Sequence, residues 1–342
     1  MAPILKRRIF TIVQYLFFLG IGILLLWLSF RKLDMQEVLN DIQKANYVWL
    51  IFALIFAIAS HIVRALRWNL LINSLNYKTK LSTTFYAVMI GYLANTAVPR
   101  MGEFVRCGVL SKKEKIPFNT LFGTVISERI FDLITLGVLI FLVIIFQIDT
   151  LSEFLNQFFG QAASDFFSNV QSILIFTLAG ILSVVVFIMV VRKLKAQIKG
   201  MPFFQKIQGF LLGFMDGIKT IMKLKQKWLF LLYTFIIWLF YAIMVYMPVL
   251  MLEETSHLTF IDGLTILAIG SLGIVAPVPG GIGAYHFIVK AILHELFNIG
   301  ANAAGSFAAI THAGQTILNV VVGSLSYFYI GLIAKKERPL NE

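Results

Sequence analysis

The feature that most constrains this chain is a series of apolar segments with the length of a membrane span. A transmembrane α-helix needs about 20 consecutive, mostly apolar residues. The six segments that suit this length are residues 9–30, 47–63, 118–146, 170–191, 228–252 and 306–333. Because 59% of the 342 residues are hydrophobic and only 13% are charged, a soluble fold is excluded. The sequence therefore predicts an all-α polytopic membrane protein, with a single transmembrane domain over residues 1–342.

Basic residues predict how these segments are oriented. Cytoplasmic loops of membrane proteins carry an excess of lysine and arginine. Basic residues crowd segments 6–8, 192–227 and 335–338, whereas loops 147–169 and 253–263 contain acids but no lysine or arginine. The three basic segments, and with them both termini, are expected in the cytoplasm, and the two acidic loops outside. The basic residues that give the formal charge of +12 are thus explained by their role in orienting the spans and by contact with anionic lipid headgroups. No nucleic-acid partner is predicted.

Two further apolar stretches are too short to cross the bilayer. Residues 82–98 are followed by Pro99 and a short run at 104–110, while residues 264–276 break at a proline- and glycine-rich sequence and resume at 287–297. Lysines flank the first stretch on both sides, so it is predicted to enter and leave from the cytoplasm. The second follows an external loop and is predicted to enter and leave from outside. Both are interpreted as re-entrant hairpins, whose broken backbone must be buried in protein or line a wet cavity.

The two halves of the chain then share one order of elements in opposite orientation. Residues 1–150 contain two spans, a cytoplasmic hairpin and a span, and residues 166–342 contain two spans, an external hairpin and a span. Inverted repeats with broken helices are a recurrent layout of transporters. We therefore predict two inverted repeats, each with three spans and one re-entrant hairpin. Residues 192–227, where lysines alternate with large apolar residues, are predicted to form a cytoplasmic amphipathic linker inside the second half.

Charged residues at membrane depth are the first candidates for function. A charge at the centre of a bilayer costs about 2.5 to 3.5 kcal/mol on insertion scales, so such groups normally face a cavity or one another. The first hairpin and the next span carry the candidates Pro99, Arg100, Gly102, Glu103, Arg106, Glu128, Arg129 and Asp132. Two interpretations stay open. The arginines and carboxylates neutralise one another in a closed network, or the arginines bind an anionic headgroup with Glu103 as counter-charge or proton carrier.

A second set of candidates lies on the second span and on other helices. Arg64 and Arg67 lie one turn apart beside Trp68, and they are either an interfacial anchor or a phosphate clamp. His61 is interpreted as a packed histidine. Asn95, His312 and Gln315 are lesser candidates on neighbouring helices.

The glycine-rich break of the second hairpin is the third candidate. Free backbone amides at a helix N-terminus attract anions, and polar side chains on the first turns could add to such a site. The residues concerned are Pro279, Gly280, Gly281, Gly283, Tyr285, His286 and Lys290. The alternative is a tight glycine turn that serves the structure alone.

Several kinds of chemistry are excluded by the motifs that the sequence lacks. There is no Walker loop, no HExxH motif and no Cys/His cluster, and Cys107 is the only cysteine. No metal site and no cofactor are therefore predicted. Primary active transport within this chain is excluded for the same reason.

Four motifs together resemble the lysylphosphatidylglycerol synthase transmembrane-domain family. In the family's order they are Arg64-Ala-Leu-Arg67-Trp68, Pro99-Arg100-x-Gly102-Glu103, Ser127-Glu128-Arg129-x-x-Asp132 and Pro277-x-Pro279-Gly280-Gly281-x-Gly283. The resemblance implies an integral inner-membrane protein that moves a phospholipid or a polyprenyl-linked lipid between leaflets. In lipid-aminoacylating members this domain is joined to a cytosolic transferase. Because this sequence ends at Glu342 with the membrane domain, aminoacyl transfer is not expected here.

One position departs from the family's pattern. Many members carry an acid or an Arg-Glu pair soon after the glycine turn, where this chain has Tyr285 and His286. Neither a shared headgroup specificity nor proton coupling at that position can be carried over from the family.

The expected function is that of a flippase-like transporter of an anionic lipid in the bacterial inner membrane. One alternative is a membrane-embedded transferase acting on a lipid phosphate, with Glu103 or Asp132 as base. Another is an accessory subunit of a cell-envelope synthesis complex. The expected partners are an anionic lipid headgroup and membrane lipids, with a second copy of the chain or an envelope-synthesis protein left open. The opposed hairpins distinguish these functions, because transport needs access from both sides and an enzyme from one.

Overall fold

The computed structural model describes residues 2–152, 224–274 and 278–336, with single positions at 175, 178, 182, 186, 189 and 221. These residues form helices and turns, and no strand occurs among them. The helices are α1 (Ala2–Phe30), α2 (Met35–Lys44), α3 (Tyr47–Ser74), α4 (Leu81–Ala97), α5 (Gly102–Glu114), α6 (Phe118–Phe146), α7 (Lys227–Tyr246), α8 (Phe260–Ile274), α9 (Ala284–Ala291) and α10 (Ala301–Lys336). The predicted all-helical class is confirmed.

Five of the described helices are long and apolar enough to cross a membrane. Their spans are Val13–Phe30, Tyr47–Ser74, Phe118–Phe146, Lys227–Met251 and Ala301–Leu332. They coincide with five of the six predicted spans. Large apolar side chains such as Phe17, Trp27 and Phe328 are exposed on them, as a lipid-facing surface requires. The chain is therefore a multi-pass membrane protein.

Two predicted elements fall where the structure describes little. The predicted span 170–191 and the predicted linker 192–227 lie almost wholly outside the described residues. Both stay predictions.

The chain divides into two compact units. The first combines Met1–Val125 with Leu224–Glu342, and the second is Ile126–Lys223. The centre of the first unit is a cluster of buried side chains from α3, α4, α5 and the start of α6, among them Trp68, Val88 and Leu110. The Trp68 ring nitrogen donates a hydrogen bond to the Thr124 hydroxyl at 2.8 Å. The described part of the second unit consists mainly of the rest of α6.

Helices α4 and α5 pack against each other as a helical hairpin. At its tip, Arg100 takes a positive φ of 60°. The side-chain oxygen of Asn95 accepts a hydrogen bond from the Gly102 amide at 2.7 Å. A β-carbon at Gly102 would overlap the carbonyl oxygen of Gly91, so a glycine is needed where the two helices meet. The first predicted hairpin thus exists as a pair of helices, and its entry into the membrane stays a prediction.

Helices α8 and α9 form a second packed pair. They are joined through a 3-10 turn, Pro279–Gly281, and α9 runs into a π-helical turn, Ile292–Leu296. The glycines at 280, 281 and 283 have φ values of 59°, 75° and 80°. Residues other than glycine rarely adopt these φ values, which explains why the break is rich in glycine.

Candidate functional site

Two arginines of α3 are buried against α7. A guanidinium nitrogen of Arg64 donates to the Tyr241 hydroxyl at 2.5 Å, and one of Arg67 donates to the Thr234 hydroxyl at 3.0 Å. The Arg67 guanidinium carbon also lies 5.4 Å from the centre of the Phe230 ring. Only 5% of Arg64 and none of Arg67 is exposed, so both guanidinium groups lie inside the helix bundle.

The first hairpin contributes a third buried arginine. Arg106 of α5 is 4% exposed, and its guanidinium carbon lies 4.6 Å from the centre of the Trp68 ring on α3. At this distance a cation over an aromatic face is stabilised by the ring quadrupole. We call Arg64, Arg67 and Arg106 the arginine cluster. Hydroxyls and aromatic rings of neighbouring helices hold it in place.

The other candidates of the first hairpin lie nearer its tip. Arg100 is exposed and Glu103 is half-buried. Asn95 has a clear local role, because its side chain binds the Gly102 amide and fixes the start of α5. The structure therefore separates the predicted hairpin residues into an exposed tip with Arg100 and a buried position with Arg106.

The charged residues of α6 lie in the second unit. A nitrogen of Arg129 is 3.4 Å from a carboxylate oxygen of Asp132, one turn away, and their side chains are 40% and 13% exposed. Glu128 is fully buried. The predicted network between this group and the hairpin arginines stays a prediction.

The tip of the second hairpin touches the tip of the first. Helix α4 contacts the Pro279–Gly281 turn, and a β-carbon at Gly280 would lie 3.4 Å from the Thr96 carbonyl oxygen. On its other side, the Gly280 carbonyl oxygen lies 3.0 Å from the Nε2 atom of His312 on α10. Two interrupted helix pairs far apart in sequence thus meet at one point.

Residues after the glycine turn contact α1 and α10 as well as α8. The Tyr285 hydroxyl donates to the Thr311 hydroxyl at 3.1 Å, and the His286 ring centre is 4.6 Å from that of His312. A β-carbon at Gly283 would overlap the carbonyl oxygen of Gly22 on α1. The close approach of α1 gives Gly283 a structural reason to be glycine.

Lys290 also has a structural partner. Its ammonium group donates to the Ser29 carbonyl oxygen, in the last turn of α1, at 2.7 Å. A cation at this position satisfies a free carbonyl and complements the helix dipole.

Uncharged residues around the arginine cluster escaped sequence reasoning. Tyr92 packs on His61, Tyr241 on Arg64 and Trp238 on Tyr241. In the sequence, nothing distinguishes these three from ordinary aromatic residues of a span. The one available signal was that Trp238 and Tyr241 lie one turn apart on an apolar helix. No group of three or more His, Cys, Asp or Glu side chains in the described ranges could hold a metal ion.

Curated proteins similar to this chain come from archaea. A UPF0104 membrane protein of Methanocaldococcus jannaschii is 31% identical over 132 residues, which cover 38% of this chain and 37% of that protein. The glycosyltransferase AglD of Haloferax volcanii is 22% identical over 98% of this chain and 57% of its own length. A UPF0104 membrane protein of Pyrococcus horikoshii is 22% identical over 80% of this chain and 84% of its own length. The first two alignments thus cover less than two thirds of the relatives' lengths.

No solved structure matches this chain. The family model of the lysylphosphatidylglycerol synthase TM region matches residues 13–323, from the first span through the arginine cluster and both hairpins into α10. With nearly its whole length matched, the chain belongs to the family of the lysylphosphatidylglycerol synthase TM region.

Proposed function

We propose that this protein moves an anionic lipid, a phospholipid or a polyprenyl-linked lipid, between the two leaflets of the bacterial inner membrane. The observation that carries the proposal is the contact between the two helical hairpins, where Thr96 meets Gly280. Thr96 belongs to α4, and α4 also borders the arginine cluster. Opposed interrupted helices that meet near the bilayer midplane surround the substrate site in many transporters.

The proposal includes the inverted repeat and the re-entrant hairpins. In it, the α4–α5 hairpin opens to the cytoplasm and the α8–α9 hairpin to the outside, with both termini in the cytoplasm. A headgroup that crosses the membrane then passes from one hairpin tip to the other. Each hairpin controls access from one side.

The arginine cluster supplies positive charge within the bundle. Guanidinium groups match the oxygen atoms of phosphate in shape and charge, and they keep their charge when buried. In this arrangement Arg106 on α5 lies between the cytoplasmic end of the hairpin and its tip, where the exposed Arg100 would meet the headgroup at the junction with the second hairpin.

A second candidate function rests on one relative. Because a protein named a glycosyltransferase contains a region similar to 98% of this chain, we propose as a second candidate an accessory role in the synthesis of a cell-envelope glycan.

Leaflet exchange in liposomes tests the proposal. The purified protein is reconstituted with a fluorescent phosphatidylglycerol in one leaflet, and its transfer is followed by chemical quenching from outside. We expect Arg100→Gln to reduce the rate about tenfold, because a charge-assisted hydrogen bond is worth about 1.5 to 3 kcal/mol. The matched control is Lys78→Gln, an exposed cation before α4.

Two results would contradict the proposal. Wild-type protein that moves no anionic lipid under any gradient, yet modifies one chemically, would identify an enzyme. Equal rates for wild type, Arg100→Gln and Lys78→Gln would remove Arg100 from the path.

A further inference from the structure

Three buried nitrogen atoms on α3 and α7 have no hydrogen-bond partner within the described ranges. They are both ring nitrogens of His61 and the ring nitrogen of Trp238. The His61 side chain is only 3% exposed, so bulk solvent does not reach it. Buried polar groups are hydrogen-bonded in the great majority of cases, and each exception calls for an explanation such as a bound group.

Contacts between the two helices fix their register along one another. Phe56 packs on Phe240, Arg64 binds Tyr241 and Arg67 binds Thr234, so α3 and α7 run antiparallel. In this register His61 falls level with Trp238. Residues three apart share one face of a helix, which places His61 beside Arg64 and Trp238 beside Tyr241.

Helix α4 closes this group from a third direction. The Tyr92 ring centre lies 4.3 Å from that of His61. Tyr92 is one turn before Thr96, whose carbonyl meets Gly280 at the junction of the hairpin tips. Tyr92, which packs on His61, therefore lies one helical turn from the point where the two hairpins meet.

The chemistry of this group favours a negatively charged acceptor. The Trp238 ring nitrogen can only donate, and the Arg64 guanidinium has donors and no acceptor. His61 donates from one nitrogen when neutral and from both when protonated. A ligand that satisfies them together brings several acceptor oxygens and a negative charge, and a phosphate group has both.

We propose that His61, Arg64, Trp238 and Tyr241 form a binding site for the phosphate oxygens of an anionic ligand, with Tyr92 as its third wall. The inference rests on the proposed function for the idea that a lipid headgroup reaches the bundle interior. The site itself rests on the unpartnered nitrogens. Free phosphate and a lipid phosphate offer the same chemistry, and the experiment separates the two sources.

Binding alone tests this site, without a transport assay. The full chain in neutral detergent is titrated with inorganic phosphate, with phosphatidylglycerol micelles or with phosphatidylcholine micelles, and its melting temperature is recorded. A ligand that binds only the folded state raises this temperature as its concentration passes the dissociation constant. We expect phosphatidylglycerol to raise it more than phosphatidylcholine, because the choline ammonium offsets the negative charge of the phosphate in phosphatidylcholine. A response to inorganic phosphate as well would show that the phosphate group suffices.

The decisive variant is His61→Phe, because it keeps the ring and removes both nitrogens. We expect it to melt at the wild-type temperature or above without ligand, since two unpartnered polar atoms are gone. Its affinity for phosphatidylglycerol should fall about tenfold or more, the value of one or two hydrogen bonds to a charged group. Trp238→Phe should act in the same direction, and His257→Gln, an exposed histidine elsewhere, should bind as wild type does.

Defined results would overturn the inference. An equal ligand-induced shift in wild type, His61→Phe and Trp238→Phe would mean that the nitrogens do not contact the ligand. If neither phosphate nor phosphatidylglycerol changes the melting temperature, an ordered water is the remaining partner for the ring nitrogens and the site is refuted. A wild-type protein that exchanges lipid but shows no ligand-induced shift would refute this inference alone, whereas a wild-type protein that binds phosphatidylglycerol but exchanges no lipid would refute the proposed function alone.

Discussion

The substitution Gly102→Ala tests whether the α4–α5 hairpin depends on close contact at its tip. The added β-carbon would overlap the carbonyl oxygen of Gly91 and lie 2.5 Å from the side-chain nitrogen of Asn95. Neither atom belongs to a long, flexible side chain, so α5 must move away from α4. This movement would also lengthen the hydrogen bond from the Gly102 amide to Asn95.

The expected cost follows from these two contacts. Overpacking costs about 1 to 3 kcal/mol and a lost hydrogen bond about 1 kcal/mol, so we expect the free energy of unfolding to fall by about 2 to 4 kcal/mol. The same helix offers a matched control in Gly108, where an added β-carbon has nothing within 4 Å. There, Gly108→Ala should stabilise the helix by up to about 1 kcal/mol.

Unfolding in mixed detergent micelles, followed by circular dichroism, measures both variants under the same conditions. We expect opposite signs, with Gly102→Ala less stable and Gly108→Ala at least as stable as wild type. Lipid exchange by Gly102→Ala should fall together with its stability. If Gly102→Ala unfolds at the wild-type midpoint, the tight packing of the hairpin tip is refuted.

Two further predictions address Lys290 and the topology. Lys290→Met should lower the free energy of unfolding by about 1 kcal/mol, because Ser29 loses a charged donor that is partly screened by solvent. An unchanged stability with slower lipid exchange would instead place Lys290 in the lipid path. Single cysteines at Asp149 and Glu254 should react with an impermeant reagent from outside, whereas one at Lys113 should not, and buried Cys107 should add little background. Labelling at Lys113 from outside would make the first hairpin a full span and refute the inverted repeat.

Hydrophobicity alone predicted the helical class and the five spans that the described residues contain. A segment in lipid must satisfy its backbone hydrogen bonds internally, so a long apolar run has little choice but to form a helix. The breaks at Pro99 and at the glycines after Pro279 were predictable for a related reason. Proline ends a helix, and positive φ values such as that of Gly283 favour glycine.

The partners of the candidate residues were less accessible to sequence reasoning. Arg64 and Arg67 were predicted to be an interfacial anchor or a phosphate clamp, and nothing in the sequence indicated that their side chains bind α7, more than 160 residues away in the chain. Lys290 was expected to bind an anion, and it caps α1. The periodicity of one helix shows which residues share a face, but it does not show which helix that face will meet.

The sequence by itself determined the membrane environment, the helical class and the positions where helices break, because each depends on hydrophobicity or on the local conformations open to proline and glycine. Its motifs were also sufficient to indicate the family. Only the tertiary structure decided that the hairpin tips meet at Thr96 and Gly280, and that Arg64 and Arg67 of α3 bind hydroxyls of α7. These are contacts between distant segments, and they arise from helix packing, which the spacing of residues along a single helix does not specify.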